Sequence, residues 1–483
     1  MHKADRADSI GPVAAPPGAP EGPRRAGPFG FNQKAVAMLP RRLAWAARVF
    51  LAIGGALLCV LPAQAQIGPI LPAPGPVNRS MGGTAVAAPI DGLGALYWNP
   101  ATITRVPNSM DFGLEIFFPH SSLFSSVPAS AFAPGIPPIP LADETRSHPG
   151  IFPLPSVSLV YHAEEWPLTF GLAAFPVAGF GVNYAASFTN PLLTPQPPNG
   201  IGLGALYSQF SLLQIVPAVA WKISDSFSVA AGPIIDLAAL DADPLFIVSP
   251  NANGDFPPGT HSRISWGAGF QVGAYYRFDN GFRVGASFKS PQWLENFKWQ
   301  TVDATGHPRA ASFHFDAPMI PSIGVAYHVD KWLIGSDFRY VDFHNAAGFA
   351  PSGFEPTGAA RGLGWKSVFA LTFGVQYLVT ECLSVRAGYT YNGNPIEDSV
   401  TSFNVASTTN IEHTVSIGAS YRLTDLLTLS LAYAHAFENS NTGPLITPLG
   451  AVPGSLVRNR ASVDTILFGA RVRFGPHVNC PEQ

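Results

Sequence analysis

Residues 427–434 read Leu427-Thr428-Leu429-Ser430-Leu431-Ala432-Tyr433-Ala434. Large apolar side chains alternate strictly with small or hydroxylated ones. Successive side chains of a strand point to opposite faces, so this stretch is a strand with one greasy face and one face of small residues. The pattern recurs at 383–391, where Leu383, Val385, Ala387, Tyr389 and Tyr391 oppose Ser384, Arg386, Gly388 and Thr390. It recurs again at 414–423 and at 266–278. A soluble sandwich would bury the greasy face in a core. Here the opposite face is Gly, Ser, Thr and Arg, which suits a lumen, and the greasy face suits lipid.

Working outward, fourteen candidate strands lie near 109–118, 155–163, 167–178, 208–223, 226–240, 263–278, 281–299, 311–329, 331–344, 364–380, 382–396, 411–424, 426–438 and 461–474. The links between them alternate. Short polar turns such as Glu164-Glu165, Ser224-Asp225 and Asp279-Asn280-Gly281 are tight hairpin signals. The other links, near 119–154, 179–207, 241–262, 300–310, 345–363, 397–410 and 439–460, are long and rich in Pro, Gly, Ser and Asn. Short turns at one rim and long loops at the other are the pattern of an outer-membrane barrel, with the short turns periplasmic. An even number of antiparallel strands also closes without leaving an edge. The expected fold is all-β: a transmembrane antiparallel barrel over 109–474.

Composition agrees. Charged residues make up 12% of the 483, about half the usual share, and aromatics another 12%. Mean hydropathy is only +0.19, too low for a bundle of membrane helices. Near the N-terminus Arg41, Arg42 and Arg48 precede the apolar run 49–61, and Pro62-Ala63-Gln64-Ala65 supplies a cleavage pattern. Thirteen apolar residues are too few to span a bilayer, for which about 20 are needed. Residues 1–65 therefore read as a secretory signal peptide, with Met38 as an alternative start and 1–37 as a misassigned extension. Past residue 65 the chain holds 20 basic and 28 acidic residues, which gives no electrostatic reason to expect nucleic-acid binding. Cys382 and Cys480 remain, either as a pair or as two unrelated thiols.

Residues 66–108 do not read as a strand. A barrel of about fourteen strands is wider than its side chains can fill, so this segment is the expected plug. Within it, Arg79-Ser80-Met81-Gly82-Gly83-Thr84-Ala85-Val86-Ala87 leads to Leu96-Tyr97-Trp98-Asn99-Pro100-Ala101. This pattern resembles the N-terminal hatch of the FadL/TodX family of outer-membrane channels for long-chain fatty acids and aromatic hydrocarbons. Asn394-Pro395-Ile396, after Tyr389-Thr390-Tyr391, resembles a second family feature. The resemblance implies a hatched fourteen-stranded barrel that takes a hydrophobic ligand at its loops, passes it to an interior pocket, and releases it sideways toward membrane lipid.

That route gives individual residues candidate roles. Gly82, Gly83, Asn99, Pro100 and Ala101 form the hatch motif; the Asn-Pro-Ala triplet either gates the hatch or caps a short helix. Family members carry an inward kink in the third strand. Pro176, Gly179 and Gly181 place a lateral exit there, with an ordinary strand end as the alternative. The run Leu245-Phe246-Ile247-Val248 in the third long loop, with Phe117 and Phe118, reads as ligand-binding or as loop packing. For fatty-acid members the resemblance implies a carboxylate held by basic groups inside the barrel, some near the end of the fifth strand. This chain carries Asp236, Asp241 and Asp243 there instead. Lys289 and Arg339 are the remaining carboxylate candidates, and other inward basic residues, including Arg386 and Arg471, line a wet lumen or bind the hatch.

No catalytic residue, cofactor or metal is expected. The histidines are scattered, no Gly-x-Ser-x-Gly elbow occurs, and no His/Cys group has metal spacing. An outer-membrane lipid hydrolase and a general porin for polar solutes are the rival readings. The expected partners are hydrophobic small molecules and outer-membrane lipid, with the chain acting as a monomer. Phe474 closes the last strand, and 475–483 form a periplasmic tail.

Overall fold

The computed structural model of the protein describes residues 67–260, 262–302 and 306–475. The signal peptide, its cleavage site, the alternative start at Met38, Cys480 and all of the tail after Gly475 lie outside these residues. Among the described residues fourteen antiparallel strands close into a ring. In chain order they are Ser109–Val127, Phe152–His162, Leu168–Tyr184, Leu206–Lys222, Phe227–Asp243, Ser265–Arg277, Phe282–Lys289, Ile320–Val329, Trp332–Val341, Val368–Leu378, Leu383–Asn392, His413–Arg422, Leu427–Gly443 and Leu456–Arg473. Each pairs with its chain neighbours, and the last returns to the first from Ser109↔Arg473 to Ser126↔Leu456. The alternation seen in the sequence is what makes closure possible. Leu429, Leu431 and Tyr433 are exposed on the outer wall, while Ala432 and Ala434 are buried on the inner one. No helix among the described residues is long and apolar enough to cross a membrane.

Several strand boundaries differ from expectation. The first strand continues to Val127 and pairs beyond the ring with Leu141–Arg146, inside what read as a loop. The stretch 281–299 is not one strand. Its barrel part ends at Lys289, just before Pro291, which has no N–H to donate. Trp293–Leu294 then folds back onto the sixth strand at Gly267 and Ala268. Phe297–Val302 pairs with Pro308–Phe313 in a separate hairpin, so the eighth barrel strand starts at Ile320 rather than near 311.

The lumen is filled by the N-terminal segment. From Ile67 to Ile103 every residue is buried except Val77, Pro89 and Ile90, which are half-buried. Two short helices, Pro76–Arg79 and Gly92–Trp98, and the 3-10 turn Pro100–Arg105 shape it. Its apolar side chains share one cluster with the inner wall of the third, fourth and fifth strands, through Leu96, Ile103, Phe175, Val216 and Ile234.

Candidate functional site

Glycines of the inner wall leave room for the hatch to approach the sheet closely. Gly469 meets Pro76, Gly418 meets Ser80, Gly374 meets Met81, and Gly335 meets Thr84. A Cβ at any of these positions would collide with the hatch. Gly82 and Gly83 answer from the other side. Both hold positive φ, 65° and 82°, in the left-handed region that other residues resist. A Cβ on Gly82 would strike the backbone of Tyr389 on the eleventh strand. Thr390 Oγ1 donates to the Gly82 carbonyl at 2.8 Å.

Buried charges fasten this seat. Asp337 Oδ2 accepts from the Ala85 and Val86 amides at 2.8 and 3.0 Å. Arg339, two residues along the same inner face, donates to Asp337 at 2.6 Å and to the Gly83 carbonyl at 2.7 Å. Its guanidinium lies 3.8 Å over the Trp98 ring. Arg339 is thus tied to the hatch, with a carboxylate of the same strand beside it. Arg79 pairs with Glu115 of the first strand, both fully buried. Arg471 bonds Asp111 at 2.6 Å and the Ile90 carbonyl at 2.9 Å.

Asn99-Pro100-Ala101 caps and ties. Asn99 Oδ1 accepts from the Ala101 amide at 3.1 Å, and Pro100 takes the first position of the 3-10 turn, where a missing N–H costs nothing. Asn99 Nδ2 donates to the Val86 carbonyl within the hatch and to the Ala274 carbonyl of the sixth strand, at 2.7 and 3.0 Å.

The third strand breaks the barrel's rules. Its pairing with the second strand runs from His162↔Thr169 to Val157↔Ala174 and stops there. Its pairing with the fourth strand slips by one residue between Pro176 and Ala178, so Val177 is a bulge. From Ala173 to Val182 both faces of the strand are buried, as they are when a strand bends into the lumen. The strand continues to Tyr184, so Pro176 to Gly181 is not a strand end. Across the opening, the second strand presents Pro153 and Pro155, neither of which has an N–H to complete a ladder. The hatch tip fills the inner side: Leu71 N donates to Val177 O at 2.8 Å, and Gly179 N donates to Pro69 O at 2.9 Å.

Beside this opening is an interior pocket. Hatch residues Pro69, Ile70 and Tyr97, bulge residues Val177 and Ala178, and Phe210, Phe315 and Phe349 form its apolar wall. Gln214, Lys289 and Gln292 form its polar end. The cavity is about 30 Å³, room for little more than water. A larger occupant has to displace the hatch tip or rotate the phenylalanines. Lys289 lies 4.2 Å over the Tyr97 ring.

The other predicted positions fall differently. Phe117 is fully buried on the inner face with Leu71, Phe152 and Leu154. Phe118 is on the opposite, outer face, in the row of exposed Leu114 and His120, and does not line the interior: neighbours in a strand point opposite ways. Leu245–Val248 is not an exposed run. Leu245 and Val248 are buried in the main apolar cluster with Ile247 against it, and Phe246 packs on the outer-loop cluster. Asp337, Asp111 and Gln214 were not singled out from sequence. An Asp two residues before an Arg on the lumen face was the available signal for the first.

A closed barrel with a seated plug and an interrupted wall defines a plugged outer-membrane channel. The chain belongs to the family described as outer membrane protein transport protein (OMPP1/FadL/TodX), whose model matches residues 63–475. It is 26% identical over 207 residues to a 47 kDa outer membrane protein of Pasteurella multocida; the match spans 37% of this chain and 45% of that relative. In fold it is similar to the Pseudomonas putida toluene transporter TodX, with TM-score 0.60, 15% identity, and coverage of 85% of this chain and 100% of that one. It is similar to the Ralstonia pickettii toluene transporter TbuX, at 0.59 and 17%, covering 83% and 98%. A Pseudomonas aeruginosa FadL homologue aligns at 0.60 and 15%, covering 84% and 100%.

Proposed function

We propose that this protein takes up hydrophobic molecules, aromatic hydrocarbons or long-chain fatty acids, across the outer membrane and releases them sideways at the bend of the third strand. The observation that carries the reading is burial of that strand on both faces from Ala173 to Val182, next to a mostly apolar pocket. A hydrophobic solute gains about 25 cal/mol for each Å² hidden from water, so it is served by pockets and a side door rather than a water-filled pore. Phe117, Leu245, Ile247 and Val248 lead toward the pocket, Pro176, Gly179 and Gly181 frame the door, and the Gly82-Gly83 and Asn99-Pro100-Ala101 elements hold the hatch. The chain acts as a channel and not as an enzyme, needs no cofactor, and works as a monomer in lipid, since the ring is closed by one copy.

The test is uptake of labelled oleate and toluene by a deletion strain carrying either the native chain or a version lacking Val177, which restores the register with the fourth strand. Native complementation raises uptake, and loss of Val177 abolishes the gain. Full uptake without Val177 overturns lateral release. No gain from the native chain overturns the cargo. A large steady ionic conductance would favour the general porin instead.

A further inference from the structure

The pocket's polar end is built from the fourth, fifth and seventh strands and the turn after the seventh. Lys289 Nζ donates to Gln214 Oε1 at 3.3 Å. Gln214 Nε2 donates to Asp236 Oδ1 at 3.0 Å and reaches Gln292 Oε1 at 3.3 Å. One amide thus joins a cation to a carboxylate. All four residues are buried, Asp236 completely. Gln214, Lys289 and Gln292 line the cavity, and Lys289 is the one charged residue among its described lining. Asp236 is not part of that lining, and its Oδ2 takes no hydrogen bond.

We propose that Asp236 determines specificity: acting through Gln214, it balances the charge of Lys289 and makes the pocket select uncharged hydrophobic cargo over carboxylates. The inference rests on the channel reading above and narrows its substrate class. The polar end already matches its one amine with one carboxyl group, joined through Gln214. A cargo carboxylate would bring a second negative charge into a buried site with a single cation, and its lost hydration would go uncompensated. Away from water, charge interactions weaken slowly with distance, so Asp236 is felt across the Gln214 side chain. Lys289 also lies over the Tyr97 and Trp98 rings, at 4.2 and 5.5 Å, and these faces stabilise its ammonium without a bound anion. An alcohol or a hydrocarbon brings no charge, and an alcohol hydroxyl can pair with the Gln292 or Gln214 amide.

The experiment measures displacement of N-phenyl-1-naphthylamine from the detergent-solubilised protein by decan-1-ol and by decanoate at pH 8, for the native chain and for Asp236→Asn. Decan-1-ol is expected to bind at least about tenfold more tightly to the native chain, a difference of about 1.4 kcal/mol. D236N is expected to strengthen decanoate binding about tenfold, leaving decan-1-ol within about twofold. Native protein that holds decanoate as tightly as decan-1-ol overturns the inference, and that comparison needs no variant to fold. An unchanged preference in folded D236N overturns it as well. Both outcomes leave the channel reading standing. Displacement by neither compound overturns the channel reading and, with it, this one.

Discussion

The Lys289 ammonium lies 4.2 Å above the centre of the Tyr97 ring, and the Tyr97 hydroxyl donates to the Leu71 carbonyl at 2.6 Å. One aromatic side chain therefore touches both the pocket's cation and the hatch tip that fills the opening. Tyr97→Phe keeps the ring over Lys289 and removes the tie to Leu71. We expect cargo affinity within about twofold of native and a loss of about 1 kcal/mol in hatch-tip stability. Faster amide hydrogen exchange across 67–72, with unchanged probe titration, checks this.

Asp337 holds two hatch amides and Arg339 together. Asp337→Ala leaves a fully buried guanidinium without its carboxylate, which costs about 3–5 kcal/mol. Adding Arg339→Met removes the orphaned charge, so the double variant is expected to be more stable than the single one. Thermal loss of the heat-modifiable band on gels ranks native, double and single variants in that order. A single variant as stable as native would remove the clamp from the account.

Gly82→Ala places a methyl group at φ 65° and against the Tyr389 backbone. Left-handed backbone alone costs a non-glycine residue about 1–2 kcal/mol, and the wall cannot retreat without breaking its ladder. The hatch is expected to leave its seat part of the time. Planar-bilayer recordings should show conductance bursts absent from the native protein. A change on the outer wall, Ile417→Ala, should leave the recordings unchanged.

Phe210 meets Phe180 and Phe315 at ring-centre distances of 5.3 and 5.2 Å and lines the pocket. Phe210→Ala opens space for bulkier cargo and costs about 3–5 kcal/mol of stability. Tighter binding of a two-ring hydrocarbon relative to toluene, measured by probe displacement, is the expected outcome. A variant with the native size preference would show that Phe210 does not set it.

The barrel was legible because lipid and lumen impose a period of two on every strand, and because turns such as Asp279-Asn280-Gly281 leave few alternatives. The third strand shows why the site was less so. From Ala173 to Val182 the sequence reads Ala-Ala-Phe-Pro-Val-Ala-Gly-Phe-Gly-Val, and the alternation vanishes because both faces are covered. That loss, with Pro153 and Pro155 on the facing strand, was the signal for an open ladder beyond Pro176 itself. The role of Arg339 turned on partners far along the chain, Gly83 and Trp98, which no local pattern reveals. Leu245–Val248 looked exposed because its loop packs on strands that the sequence keeps distant.

The glycine contacts of the hatch also tie its seat to closure of the ring. The cradle for Pro76 belongs to the final strand, at Gly469, while Gly113 of the first strand completes it beside Gly75. The groove therefore comes into being only when the two ends of the sheet meet. A segment that precedes every strand in the chain thus depends for its seat on the strand that comes last.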